Sequence, residues 1–342
     1  MSYLDILNKI EQQPKRHENS HTLVIDGNNM FIRSFTILQF ANSQGHHIGG
    51  LVGFLRSLGY LITQMNPTRV IVVFDGPDSS QRRKRIDSNY KANRGHGRMT
   101  QWEIFESKDQ EFESMSAQMA RLRDYLQVLP VDTIIMPKVE ADDVIAQIAH
   151  QLGKDQQKVT IVSSDKDFLQ LVSPNVEVYS PIKKKYITTE NVRLEVGGFT
   201  AKNYLIAKAL TGDKSDNLAG VKGLGDKTLA KIFPALLEHK RQDLDYIFDV
   251  CEKGLDTGKK VYTNVLARWE DINTNYELMN LLEPHISEQQ QQVIDEVIQE
   301  PSKAFIPYVF LDLLKDDLIH GGIVRNTSEW LERFRYISKI EE

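Results

Sequence analysis

The sequence has almost no cysteine, no long apolar run and no excess of positive charge. Its 342 residues include one cysteine, Cys251, which excludes an intrachain disulfide framework and a cysteine-based metal site. No apolar stretch approaches the roughly 18 residues that a membrane span needs. Residues 1–20 lack the apolar segment of a secretory signal. These absences predict a soluble, cytoplasmic protein with no membrane partner.

The net charge of −5 would at first disfavour a nucleic-acid partner. Nine of the acids, however, lie in tight clusters, and adding back their nine charges to −5 leaves +4 for the rest of the chain. The clustered acids are Asp26, Asp75, Glu140, Asp142, Asp143, Asp165, Asp167, Asp213 and Asp216. A mildly basic surface around an acidic, cation-filled site is compatible with a phosphate backbone.

Four β-branched runs lead directly into these acids. They are LVID at 23–26, VIVVFD at 70–75, TIIMPKVEADD at 133–143 and VTIVSSDKD at 159–167. Helix-length segments separate the runs, which predicts an α/β fold with a mainly parallel central sheet. Ligands of such sheets bind beyond the carboxyl ends of the strands, so we expect the acids to converge there.

The boundaries predicted from this pattern define three regions. Residues 1–20 form an N-terminal extension, residues 21–200 an α/β core with an insertion at about 76–110, and residues 201–342 a helical region. Within the core, strands are predicted near 22–26, 69–75, 131–136, 159–163 and 176–179. Helical segments are predicted near 29–41, 49–65, 111–127, 140–152 and 167–172. His46 and His47, beside two glycines, are interpreted as a solvated turn.

Converging carboxylates repel one another unless they hold cations or protons. Hard oxygen donors without a matching His or Cys set favour Mg²⁺ or Mn²⁺, and so many acids suit two ions. A single aspartate after a strand is more often a helix cap or turn residue. Five acidic clusters, the four at strand ends and the pair Asp213 and Asp216 in TGDKSDN, favour the metal site. For Asp143 both a ligand role and a first-turn helix role stay open.

The insertion is strongly basic. Its segment 82–98 holds seven cations against one acid, Asp87, and the cations are Arg82, Arg83, Lys84, Arg85, Lys91, Arg94 and Arg98. A charge run is usually a solvated face, but this one follows Asp75 directly, which favours phosphate binding beside the metal site. Tyr90 offers a ring on which an unpaired base could stack.

A glycine-rich segment, GVKGLGDKT at 220–228, predicts a tight turn into a new helix. Glycines let a backbone approach a phosphate closely, and a helix start supplies free N–H donors. The candidate DNA contacts here are Gly220, Lys222, Gly223, Gly225, Lys227 and Thr228. A plain helix–helix corner is the alternative interpretation.

Seven motifs occur in one order: IDGNNMF, VVFDGP, YKANR, VEADDVIAQ, VSSDKDFLQLV, LTGDKSDN and GVKGLGDKT. Together they resemble the 5′-nuclease (flap endonuclease) superfamily over residues 21–235, and most closely its bacteriophage branch, including the ribonuclease H of T-even phages. The resemblance implies a PIN-like core, a helical arch, and a helix–three-turn–helix DNA clamp that also holds a potassium ion. It departs at Asp226, where many relatives carry proline.

The resemblance also implies roles for the acids and for the arch. The first ion would be surrounded by Asp26, Asp75, Glu140, Asp142 and Asp165, and the second by Asp165, Asp167, Asp213 and Asp216. Lys91 and Arg94, next to Tyr90, would contact the scissile phosphate and stabilise the charge that develops on it.

The predicted activity is therefore two-metal phosphodiester hydrolysis on DNA with 5′ flaps or ends and on RNA–DNA hybrids. It would remove RNA primers and flaps during replication, by a monomer whose protein partners would be a single-strand binding protein and a sliding clamp. Two alternatives are a PIN-type single-strand ribonuclease and a DNA-binding accessory protein without catalysis. The insertion and the glycine segment count against the first, and the near-complete acid set counts against the second.

Overall fold

The computed structural model describes residues 19–92, 99–319, 327–335 and 337. Its main sheet has the order β3-β2-β1-β4-β5-β6, with β1 to β5 parallel and β6 antiparallel to β5. The strands are β1 (His21–Asp26), β2 (Arg69–Asp75), β3 (Asp132–Met136), β4 (Lys158–Val162), β5 (Val176–Ser180) and β6 (Lys185–Ile187). The predicted α/β fold with a mainly parallel sheet is confirmed.

Helices cover both faces of this sheet. Those before residue 200 are α1 (Gly27–Ile37), α2 (Gly49–Met65), α3 (Gln81–Ile86), α4 (Lys108–Gln127), α5 (Ala141–Lys154), a 3₁₀ turn (Asp167–Leu171) and α6 (Val192–Glu195). Those after it are α7 (Ala201–Thr211), α8 (Asp226–Ile232), α9 (Leu244–Gly254), α10 (Lys260–Ala267), α11 (Trp269–Met279), α12 (Glu288–Gln299), α13 (Pro307–Asp316) and α14 (Thr327–Arg335). Two further 3₁₀ turns (Pro234–Leu237, Leu255–Thr257) and a two-stranded ribbon, β7 (Gly212–Asp213) with β8 (Leu218–Ala219), complete the described elements.

The alternation of side chains along the strands produces two apolar layers. In β1, Val24 packs with the layer that includes α5, α7 and α11. Its neighbours Leu23 and Ile25 pack with α2, α4, α13 and α14 in the other layer. Because both faces are covered, the central strands are apolar at successive positions rather than alternating with polar residues. The acids at the strand ends are therefore held by rigid elements.

The helices after residue 200 pack directly on the core. Arg69 of β2 is fully buried, and its guanidinium donates to the carbonyl oxygens of Val297 and Ile298 at 2.6 and 2.7 Å. This fastens the end of α12 to the sheet. One apolar layer includes residues from both sides of position 200, and the division at that position stays a prediction.

The interpretation of His47 as part of a solvated turn is wrong. The imidazole is buried, with its ring centroid 4.8 Å from that of Phe35 and 5.6 Å from that of Phe105. It lies at the start of α2, beneath the amide of Gln118. In the described ranges, no helix is both long and apolar enough to cross a membrane.

Candidate active site

Three neighbouring strands bring the predicted acids to one edge of the sheet. Asp26 is the last residue of β1 and Asp75 the last of β2, while Asp165 follows β4 on the other side of β1. The chain order reverses between β1 and β4, which is where open α/β sheets form their binding crevice. A cavity of about 360 Å³ lies there, and Asp26, Asp75, Asp142 and Asp165 line it. This arrangement was predicted from the strand-end pattern.

Small and amide side chains set the geometry of this edge. A side chain on Gly27 would approach the Phe74 ring to 2.6 Å, so only glycine lets α1 leave β1 so close to β2. Asp26 caps α1 by accepting from the Asn29 N–H at 2.9 Å. The Asn28 amide donates to Asp75 at 2.9 Å. Sequence reasoning assigned no role to either asparagine, although both belong to the IDGNNMF motif.

Burial disfavours the ionised form of two of the lining carboxyl groups, those of Asp26 and Asp142. Burial raises the pKa of Asp26 to about 6, and the charges of Asp165 and Asp75 contribute to that rise. Burial also raises the pKa of Asp142 well above its ordinary value, again with Asp165 contributing. The charge of Asp165 therefore contributes to both of these shifts. A bound cation would relieve this repulsion and the cost of burial together.

The donor set fits a hard divalent cation. All four lining carboxylates are oxygen donors, as Mg²⁺ and Mn²⁺ prefer. The Ser164 hydroxyl also lines the cavity, and its oxygen is buried without a hydrogen-bond partner among the described residues. Within the same part of the chain, no three acid, His or Cys side chains converge into a complete metal site. Mg²⁺ keeps several of its bound waters, so the carboxylates around it need not all contact the ion directly.

The second predicted group of acids is arranged differently. The ammonium of Lys208 lies between Asp167 and Asp213, in contact with the first and 2.7 Å from the second. Burial and nearby Asp165 raise the pKa of Asp167 to about 7, although Lys208 opposes the rise. Burial would also raise the pKa of Asp213, but Lys208 outweighs it and lowers that pKa to about 2. Lys208 therefore occupies the space between the carboxylates of Asp167 and Asp213, and a second ion at this group stays a prediction.

Lys208 itself was missed by sequence reasoning. It lies in α7, within the otherwise apolar run LIAKAL, and is 8% exposed. Burial alone would lower its pKa, but the carboxylates of Asp167 and Asp213 raise it above the ordinary value. A lysine inside an apolar helical run, five residues before Asp213, is the signal that could have identified it.

A buried ion cluster at the base of the insertion contains three of the predicted site residues. Arg83 is 4% exposed and pairs with Glu140 and, at 2.9 Å, with Asp143. Asp143 also accepts from the His285 N–H at 3.2 Å. Asp143 therefore has a structural role, Arg83 is no surface contact for DNA, and Glu140 faces three donors: Arg83, Tyr90 and Lys91.

Tyr90 belongs to the same cluster. Its ring is 2% exposed and its hydroxyl donates to Glu140 at 3.1 Å. Burial raises the pKa of this hydroxyl well above its ordinary value, so it stays protonated at neutral pH. The expectation that the ring stacks on an unpaired base is wrong, because its faces are covered by protein.

Among the described residues of the insertion, Lys91 is the cation that lines the acid cavity. Its ammonium lies 2.7 Å from Glu140 and 4.9 Å from the Tyr90 ring centroid. The backbone of Lys91 has a φ of 55°, in the left-handed region that non-glycine residues rarely adopt. Its N–H donates to the carbonyl of Asp216 at 3.0 Å, so the TGDKSDN loop holds Lys91 at the rim. Arg94 and Arg98 lie outside the described residues.

The remaining described cations of the insertion differ in whether they are free to contact DNA. Arg82 pairs with Glu277 at 3.1 Å. Lys84 and Arg85 are exposed on α3 and stay candidate DNA contacts.

In the glycine segment, Gly223 has a φ of +82° and is exposed, and a side chain at Gly223 or Gly225 would meet open space. Lys222 and Lys227 are exposed beside them, and Thr228 is half-buried in α8. Gly220 differs, because a side chain there would approach the Thr211 carbonyl oxygen to 1.9 Å. Gly220 therefore serves close packing.

An acidic cavity at the carboxyl edge of a parallel sheet, with a lysine at its rim, is the arrangement of a metal-dependent nuclease of the PIN-like class. The chain belongs to the 5′-3′ exonuclease family, because residues 21–197 match the N-terminal resolvase-like domain of that family. The predicted resemblance to the 5′-nuclease superfamily is thereby confirmed. Its narrower likeness to the ribonuclease H of T-even phages stays a prediction.

Individual relatives agree with this assignment. A 5′-3′ exonuclease of Aquifex aeolicus is 32% identical over 261 residues, which are 75% of this chain and 80% of that protein. A thermostable DNA polymerase I of Thermus aquaticus is 30% identical over 78% of this chain, which spans only 29% of the polymerase. A flap endonuclease of bacteriophage T5, solved with DNA and metal ions, shares the fold at a TM-score of 0.63 and 19% identity, covering 91% of this chain and 99% of that one.

Proposed function

We propose that this protein is a structure-specific 5′ nuclease that acts on DNA with 5′ flaps or ends and on RNA–DNA hybrids. In replication it would remove RNA primers and flaps. The observation that carries the proposal is the meeting of Asp26, Asp75, Asp142 and Asp165 in one cavity with Lys91 at its rim. Four carboxylates are of no use to a protein that only binds a polyanion, because they repel phosphate.

The four lining carboxylates would hold a Mg²⁺ or Mn²⁺ ion. When bound, such an ion activates water and stabilises the leaving oxygen of a phosphodiester. A count of two ions stays a prediction, since Lys208 stands between two of the acids assigned to the second. The potassium ion predicted for the glycine segment also stays a prediction.

The chain's own residues would divide the remaining work. Asn28 and Asn29 orient the neighbouring acid and backbone groups through their amides. Lys91 would place its positive charge against the scissile phosphate and stabilise the charge that develops there. Gly223 and Gly225 would let the duplex backbone approach closely, with Lys222 and Lys227 supplying sequence-independent attraction.

Cleavage of labelled substrates tests the proposal. Flap, nicked-duplex and RNA–DNA hybrid substrates, labelled at either end, would be incubated with Mg²⁺ and either the wild type or Asp165→Asn. We expect short products from the 5′ end that carry a 5′-phosphate and disappear in Asp165→Asn. Tight flap binding without cleavage in Mg²⁺ or Mn²⁺ would instead support the accessory-protein alternative. Cutting confined to single-stranded RNA would support the PIN-type ribonuclease.

A further inference from the structure

A second cavity lies directly beside the acid cavity. Its volume is about 210 Å³, and it opens between α1, α2 and the β5–β6 hairpin. Its lining is mainly apolar and aromatic, and the residues that matter here are Met30, Arg33, Ile37, Tyr60, Tyr179 and Lys184. No role in metal binding or phosphate chemistry accounts for this apolar lining.

The two cavities share one wall. Arg33 lines both of them and therefore lies at the boundary between the acid cavity and the apolar one. The hairpin continues this relationship, since Ile182 lines the acid cavity while Lys184 lines the apolar one. A substrate strand whose phosphate enters the acid cavity therefore has its adjoining nucleotide within reach of the second cavity.

The chemistry of the lining suits one flat aromatic ring with a phosphate next to it. Tyr60 lines this cavity and is 46% exposed. Burial raises the pKa of Tyr179, and the adjacent Tyr60 hydroxyl adds to the rise, so the two phenols are close neighbours. Arg33 and Lys184 add positive charge, and none of the described lining residues is acidic. Aromatic rings beside cations are the usual platform for unpaired bases.

We propose that this cavity binds one unpaired nucleobase of the substrate, from the nucleotide that adjoins the phosphate in the acid cavity. The inference rests on the proposed function and adds a base-binding subsite to it. Tyr60 supplies the stacking surface, Met30 and Ile37 the apolar floor, and Arg33 the bridge to the phosphate. Such a subsite would draw the strand out of the duplex and seat the scissile bond.

Paired changes in protein and substrate test the proposal. Single-turnover cleavage of a 5′-flap DNA would be measured with and without an abasic site on either side of the scissile phosphate. The variants are Tyr60→Ala, Tyr60→Phe, and the matched control Tyr308→Ala, whose tyrosine is 69% exposed on α13. We expect either Tyr60→Ala or one abasic site to slow cleavage by about 5- to 150-fold, the range of one lost base stack.

The coupling between the two changes decides the outcome. If the base occupies the cavity, Tyr60→Ala and the abasic site together slow cleavage no more than either alone, and Tyr60→Phe behaves as the wild type. Effects that multiply, or a Tyr60→Ala variant as active as Tyr308→Ala, would overturn the proposal and leave the cavity to a partner protein.

A binding readout separates this inference from the proposed function. With 2-aminopurine at the same nucleotide, binding should change its fluorescence with the wild type and Tyr60→Phe but not with Tyr60→Ala. If the wild type cleaved none of the substrates, the proposed function would fail. This titration would still show whether the cavity binds a nucleobase. No fluorescence change with the wild type would count against it.

Discussion

The ammonium of Lys208 lies 2.7 Å from the carboxylate of Asp213 and also contacts Asp167, so one buried lysine joins two acids at the edge of the active site. The ammonium offsets two negative charges that burial would otherwise penalise. It also sets a condition on any cation that would bind these two acids, which is that the lysine must give up its contacts.

Replacing Lys208 by methionine should destabilise the metal-free protein. Lys208→Met keeps the length of the side chain but leaves Asp167 and Asp213 without their cation, and we expect a loss of about 3 kcal/mol of unfolding free energy. Urea unfolding in EDTA measures this. Lys202→Met, an exposed position on the same helix, is the control. Equal stability of the two variants would show that the buried pair contributes nothing.

Asp26 and Asp143 should respond in opposite ways to the same substitution. Asp26 has a pKa of about 6 because it is buried among acids, so Asp26→Asn in EDTA at pH 8 should gain about 1–2 kcal/mol of unfolding free energy. Asp143 is a partner of buried Arg83, so Asp143→Asn should lose about 3 kcal/mol.

The effect of Mg²⁺ on the melting temperature of these two variants distinguishes a metal ligand from a structural acid. Binding to the folded state raises the melting temperature, and we expect that rise to be lost in Asp26→Asn and kept in Asp143→Asn. Calorimetry at several Mg²⁺ concentrations gives the answer. A rise that survives in Asp26→Asn would remove Asp26 from the ligand set.

Lys91 should matter for the rate of cleavage rather than for duplex binding. Its ammonium lines the acid cavity, and we expect Lys91→Ala to lower the single-turnover rate more than about tenfold, because developing charge on the phosphate loses a stabilising cation. Glu140 retains Arg83 and Tyr90 in this variant, so the fold should persist. Lys154→Ala is the matched control, because Lys154 is the last residue of α5 and the acid cavity lies at the first turn of that helix. An unchanged rate would exclude Lys91 from the chemistry.

The sequence predicted the sheet and its acidic edge because both have local signals. The runs ending at Asp26 and Asp75 show strand and acid together, and parallel order then places them at one edge. Whether a given charge faces a ligand or another charge depends on packing between distant segments. Asp143 looks like its neighbour Asp142 in sequence, yet Arg83, from the preceding insertion, pairs with Asp143. Tyr90 was misjudged for the same reason, since only the folded chain shows that its ring is buried.

His47 should make stability depend on pH. Its Nε2 lies 2.7 Å from the Leu38 carbonyl and its Nδ1 lies 3.2 Å from the Gln118 amide nitrogen. In the neutral ring, Nε2–H donates to Leu38 while Nδ1 accepts from Gln118. Protonation would add a hydrogen to Nδ1 facing that amide donor. Burial, the larger cause, lowers the pKa of His47 below its ordinary value, although the Leu38 contact opposes the shift.

The sign follows from the direction of that shift. Below about pH 6.5, the ordinary pKa of histidine, the unfolded chain takes up a proton that folded His47 resists, so the contribution of His47 to stability falls as the pH drops. The raised pKa values of Asp26 and Asp167 act in the opposite direction over this range, so the contribution of His47 is measured as a difference between proteins. Unfolding free energies measured between pH 5 and 8, values that bracket about 6.5, should keep the wild-type pH dependence in His46→Gln, whose imidazole is exposed. Relative to that control, His47→Gln should gain stability as the pH drops. Equal slopes in the two variants would mean that the buried imidazole does not control acid stability.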